Sequence, residues 1–162
     1  MSQRLVKTLH EIGAVGVMGA FAACLVLVIK GPQQPLLAYA ALRQSIAAIT
    51  QWLLVPSLAL VVVSGLLAIA VHRPFHNAGW AWVKALLGLS MFEGTLVTVS
   101  SSARQAAELA ALAANGQGDP AQLAQVLRTE RGGLWLLLAL SLANIVLAVW
   151  RPRLQRPGGS PG

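Results

Sequence analysis

The chain has 162 residues, of which 56% are hydrophobic and only 10% are charged. This balance lies outside the usual range for a soluble domain of this length, so an integral membrane protein is the first hypothesis. The net charge of +7 comes mainly from basic residues that flank apolar segments, which argues against a nucleic-acid-binding surface. Cys24 is the only cysteine, which excludes an intrachain disulfide.

Four apolar segments, at about 10–29, 50–71, 80–100 and 133–150, are predicted to cross the membrane. Each has about the 20 residues that a helix needs to cross some 30 Å of hydrocarbon, and none shows the alternation typical of strands. The sequence therefore predicts an all-α fold, an integral membrane four-helix bundle. Residues 1–150 form its single domain, and the basic tail 151–162 is expected to be disordered.

The first helix is predicted to begin near Thr8 and to end before the helix-breaking Gly31 and Pro32. Its small residues at helical spacing predict a close approach by a neighbouring backbone. These small residues are Gly13, Gly16, Ala20 and Ala23.

The second helical pattern continues without interruption from Leu36 to Val71, with a kink predicted at Pro56. A pattern of this length exceeds the thickness of a bilayer, so its first third is expected to protrude or to lie at the membrane surface. The short connection "HRPFHNAG" (72–79) predicts that the second and third helices are antiparallel neighbours.

The third helix is expected to continue past the membrane to the C-cap Asn115–Gly116. Asp119–Pro120 is predicted to open another helix, followed after Gly132–Gly133 by the fourth span. Together, these extensions predict a small helical headpiece on the side opposite the termini.

Orientation follows from the lysines and arginines near the ends of the spans. Seven lie on the side of the termini: Arg4, Lys7, Arg73, Lys84, Arg151, Arg153 and Arg156. Five lie on the other side: Lys30, Arg43, Arg104, Arg128 and Arg131. The positive-inside rule then predicts cytoplasmic termini in a bacterial inner membrane.

Glu93 lies in the middle of an apolar run, in the sequence "SMFEGTLV". Because a charged side chain inside a bilayer is costly, Glu93 is expected to be buried in the interior of the bundle, either neutral or paired. It lies at the edge of a stripe of small and hydroxylated residues, Ser90, Gly94, Thr98 and Ser101. Two interpretations stay open: an acid that handles protons or contacts a ligand, and an interhelical hydrogen bond that fixes packing.

The three histidines, His10, His72 and His76, are predicted to lie at one face of the membrane. Histidines on different helices of a bundle can hold a haem, and Lys84 on the same side can contact a propionate. The alternative is that these are ordinary interfacial histidines. No catalytic residue is predicted, because hydrolase, nucleotide-binding and dinucleotide-binding motifs are absent from the sequence.

The segments "KTLHEIGAVGVMGAF" (7–21), "WLLVPSLALVVVSGL" (52–66) and "GWAWVK" (79–84) resemble a family of predicted bacterial integral membrane proteins of unknown function. They are more distantly similar to CopD-type copper-resistance membrane domains and HemJ-type protoporphyrinogen oxidase. The resemblance implies b-type haem with His10 as an axial, iron-binding ligand. The third helix, however, has Met91 and Glu93 where the HemJ type has a second histidine.

Three functions are therefore compatible with the sequence. The first is haem binding between helices for electron transfer or haem handling. The second is a non-catalytic accessory subunit or assembly factor of a larger membrane complex, and the third is a proton-coupled transporter that uses Glu93. The expected partners are the lipid bilayer and either further copies of the chain or a larger membrane complex.

Overall fold

The computed structural model describes residues 3–32, 34–71 and 79–150, and in these ranges the chain is helical apart from short connections. The helices are α1 (Gln3–Lys30), α2 (Leu36–Ile49), α3 (Val55–Val71), α4 (Gly79–Gly94), α5 (Ser101–Ala114) and α6 (Pro120–Trp150). Two π-helical turns, Thr50–Leu54 and Thr95–Ser100, join α2 to α3 and α4 to α5. The described residues thus form four helical rods, which confirms the predicted all-α class.

Three rods are long and apolar enough to cross a membrane: Arg4–Lys30, Leu36–Val71 and Ala81–Ala114. Large apolar side chains cover their outer surfaces, as expected for contact with lipid; Val15 and Trp52, for example, are 72% and 80% exposed. The fourth span, 133–150, stays a prediction.

Helix α1 begins five residues before the predicted start at Thr8. The Thr8 hydroxyl donates to the carbonyl of Arg4, 3.0 Å away, so Thr8 bonds back into the preceding turn instead of capping the helix. The predicted end is confirmed, because the Gly31 N–H makes the last bond, to the Leu27 carbonyl at 2.9 Å.

The second rod is continuous from Leu36 to Val71, as predicted, and it accommodates Pro56 through a wide turn. Proline has no N–H to donate, which disturbs the regular α-helical pattern. Immediately before it, the Val55 N–H bonds the carbonyl of Thr50, five residues earlier, in the π pattern.

The connection from α5 to α6 has the caps that the sequence predicted. The N–H of Gln117 bonds the Leu112 carbonyl at 2.9 Å, and Gly116 adopts a left-handed φ of 71°. The Asp119 carboxylate accepts from the N–H of Ala121 at 2.8 Å, and Pro120 is the first residue of α6.

Helix α6 continues through Gly132–Gly133, where the sequence predicted a break between two helices. A Cβ on Gly133 would lie 2.9 Å from Thr98 Cγ2 and 3.1 Å from Val99 Cγ2. The absence of a side chain at Gly133 therefore allows α6 to pack closely on the second π turn.

The most extensive packing is between α1 and α3, where Gly13 and Gly16 face Ser57 and Val61. This confirms the predicted close approach along the small residues of α1. The core that the rods share includes Phe21, Leu54, Leu58, Val99 and Leu137. At the other end of the long rods, α2 packs on α5 through alanines and Ile46.

Candidate functional site

Glu93 lies on the outer surface of α4, contrary to the expectation that it is buried in the bundle interior. Met91, two residues earlier, is a core residue with 4% exposure. Residues two apart on a helix are separated by about 200° around its axis, so burial of Met91 turns Glu93 outward. The two residues that flank Glu93 one turn away, Leu89 and Val97, are 50% and 67% exposed.

Two residues of the stripe beside Glu93, Gly94 and Thr98, pack against a neighbouring helix, whereas Ser90 is exposed. Gly94 lies in ordinary contact with Leu137 of α6, since a Cβ there would be 3.7 Å from Leu137 Cδ2. Thr98 contacts Gly133, also on α6. The stripe therefore permits helix packing, while Glu93 at its edge stays outside that contact.

His10 bridges α1 and α3 through its Nδ1 atom. Nδ1 lies 3.1 Å from the carbonyl oxygen of Val61 and 3.0 Å from Ser64 Oγ. The Ser64 hydroxyl is itself directed to the Leu60 carbonyl at 2.6 Å. Because a carbonyl only accepts, we assign the proton of the neutral ring to Nδ1, which leaves Nε2 unprotonated and able to bind a metal.

The described part of the chain does not show the other predicted haem-binding residues close to His10. His72 and His76 lie outside them, so the shared location of the three histidines stays a prediction. Lys84 is half-buried on α4. Within residues 3–32, 34–71 and 79–150, no group of three or more His, Cys, Asp or Glu side chains could hold a metal ion.

A buried ion pair joins α2 to α6 and was not predicted. Arg43 Nη2 donates to Glu130 Oε2 at 2.5 Å, and each side chain is only 3% exposed. The sequence did contain a signal: Arg43 lies three residues from both Ala40 and Ile46, in the apolar stripe of α2. Glu130 likewise lies between Leu127 and Leu134 at helical spacing.

Beside this pair is a cavity of about 160 Å³ between the end of α1, α2 and α6. Its polar lining consists of Tyr39, Arg43, Glu130 and Arg131, and its apolar lining includes Val28, Leu42, Leu127 and Leu134. In the part of the chain that the structure describes, Arg43 Nε and Glu130 Oε1 are buried and have no hydrogen-bond partner. The cavity therefore adjoins two buried charged side chains, each of which has an unsatisfied polar atom.

Comparison of the chain with models of known protein families, with curated proteins and with solved structures finds no match.

Proposed function

We propose that this chain is an accessory subunit of a larger assembly in a bacterial inner membrane, where its four-helix bundle contacts a partner through the outer face of α4. The observation that supports this most directly is the exposure of Glu93 between Leu89 and Val97. The headpiece formed by α2, α5 and the start of α6 supplies a second contact surface outside the membrane.

The physical argument is the cost of a carboxylate that faces lipid. A charged side chain at the centre of a bilayer costs about 2.5–3.5 kcal/mol on insertion scales, and such groups usually face other protein. Within the described residues, α4 packs against α3 and α6, and neither covers Glu93. A polar group on a partner helix would satisfy the carboxyl and add about 0.6–2 kcal/mol to helix association.

The test is a photo-crosslink made in intact membranes. With a benzophenone amino acid at Val97, beside Glu93, we expect one defined adduct, whereas the same probe at Ile145, exposed on α6, gives no such adduct. Glu93→Gln should retain the adduct, because the amide still forms hydrogen bonds, and Glu93→Leu should lose it. Equal yields from both probe positions, or no effect of Glu93→Leu, would contradict the proposal.

A second candidate, haem binding, is supported by His10. Its Nδ1 donates to the Val61 carbonyl, an arrangement typical of metal-binding histidines, and Nε2 is left for the iron. The close contact of α1 with α3 at Gly13 leaves no gap for a macrocycle between these two helices at that level. A haem would therefore have to lie beside this contact, where His10 would supply one ligand, His72 or His76 would supply a second, and Lys84 would lie near a propionate.

The haem proposal is tested by the absorption spectrum of the purified chain after haem supplementation. A Soret band that His10→Ala abolishes, while His72→Ala or His76→Ala weakens it, is the expected result. A folded protein with no Soret band would eliminate this candidate.

Proton-coupled transport through Glu93 is a third proposal. The exposed position of Glu93 changes where its proton path would lie. A proton path at Glu93 would follow an interface between chains instead of the interior of one chain. Transport that is unchanged in Glu93→Gln would exclude it.

A further inference from the structure

We propose that the cavity beside Arg43 and Glu130 binds a phosphodiester monoanion that has a neighbouring hydroxyl, the chemistry of a phosphatidylglycerol head group. The same chemistry exists in soluble glycerophosphodiesters such as glycerophosphoglycerol, and the experiment below separates the two sources. This inference is independent of the partner proposed at Glu93.

Charge is the first argument. The lining includes two arginines, Arg43 and Arg131, and one acid, Glu130, so one positive charge is in excess. A phosphodiester with one negative charge balances this excess. A zwitterionic head group adds its own cation and would leave the excess in place.

Hydrogen bonding is the second argument. Arg43 Nε is a donor and Glu130 Oε1 an acceptor, both buried and both without a partner among the described residues. Leaving buried polar atoms of charged groups unsatisfied is costly, and such atoms in native structures usually have a partner. A phosphate oxygen accepts from Nε and a neighbouring hydroxyl donates to Oε1, which satisfies both with one ligand.

Position and size are the third argument. Val28 lies in the last turn of α1, and Gly31 follows it, so the cavity lies where a helix long enough to cross the membrane ends. This is the depth of lipid phosphates, and basic pockets between membrane helices recognise such head groups. A volume of about 160 Å³ exceeds the roughly 10–15 Å³ that one water needs and admits a phosphate group.

The test uses the full chain in detergent, titrated with phosphatidylglycerol, phosphatidylethanolamine, phosphatidylcholine or the soluble diester glycerophosphoglycerol and followed by native mass spectrometry. Two exposed arginines of α6 provide a matched pair of variants: Arg131 lines the cavity and Arg128, one turn earlier, does not. Both substitutions leave the buried Arg43–Glu130 pair intact, so loss of fold does not confound the comparison.

We expect phosphatidylglycerol to bind in preference to the two zwitterionic lipids, with about tenfold weaker binding in Arg131→Gln and unchanged binding in Arg128→Gln. Binding of glycerophosphoglycerol with the same dependence on Arg131, while none of the three lipids binds, supports the phosphate site and assigns it a soluble source. Equal binding of all three lipids, or equal effects of the two variants, would overturn the proposal and leave water as the content of the cavity.

Discussion

Arg43 of α2 and Glu130 of α6, 87 positions apart in the sequence, form an ion pair that is almost completely buried. The pair joins the rod that contains α2 and α3 to the last rod of the described chain. Because each charge is compensated by the other, the two residues have to be changed together if the fold is to be kept.

We therefore expect Glu130→Gln to lower the free energy of unfolding by about 3–5 kcal/mol, because it leaves the Arg43 charge buried without a counterion. The double variant Arg43→Met/Glu130→Leu should recover most of that loss, since well-packed apolar residues can replace a buried pair. Thermal unfolding in detergent measures both. A double variant less stable than Glu130→Gln would show that the pair contributes more than mutual compensation.

A second prediction concerns the contact of α1 with α3. A Cβ on Gly13 would lie 2.8 Å from Val61 Cγ2 and 3.0 Å from the Ser57 carbonyl oxygen, so Gly13→Ala should destabilise the protein by about 1–3 kcal/mol. A Cβ on Gly19 of the same helix would meet no neighbouring atom within 4 Å. Gly19→Ala should therefore stabilise the protein by about 0.5–1 kcal/mol. Equal shifts of the unfolding midpoint in both variants would contradict this packing.

A third prediction concerns the protonation of His10. At a pH where the ring is neutral, ¹⁵N chemical shifts of labelled histidine should show the proton on Nδ1, because the Val61 carbonyl accepts a hydrogen bond there. Ser64→Ala should preserve this tautomer and cost about 0.5–1.5 kcal/mol of stability, since it removes only the second partner. A proton on Nε2 would refute the assignment and remove the support for haem binding.

A fourth prediction concerns the start of α6. Asp119→Ala removes the acceptor of the Ala121 N–H and should cost about 0.5–2 kcal/mol, whereas Asp119→Asn retains an acceptor and should cost much less. Chemical denaturation of the two variants gives the comparison. Identical stabilities would mean that the cap is replaced by water.

Most helices and several of their ends were predictable from local signals, although α1 begins five residues before the predicted start and α6 continues through the break predicted at Gly132–Gly133. The breakers after Lys30 and the cap at Asp119 act within a few residues, and the structure has both where the sequence placed them. The long rod from Leu36 to Val71 followed from uninterrupted apolar periodicity.

The orientation of Glu93 was not predictable in the same way. Burial on a membrane helix depends on which face meets its neighbours. The small residues Gly94 and Thr98 indicated the packed face, but not how far around the helix that face extends. The Arg43–Glu130 pair is a contact between distant segments, and in the sequence Arg43 was counted only among the basic residues that indicate orientation. Only the three-dimensional arrangement shows that these two charges cancel.

The π turn at Thr50–Leu54 determines how α2 is rotated about the helix axis relative to α3. A π turn holds one residue more than the α-helical turn it replaces, and one residue corresponds to about 100° of rotation. Deleting one residue there would turn α2 relative to α3 by that angle and swing Arg43 away from Glu130, while Leu58 and Ser64 kept their places. The extra residue thus sets the rotation of α2 about the helix axis relative to α3. One continuous rod can therefore present two different faces, one to each half of the protein.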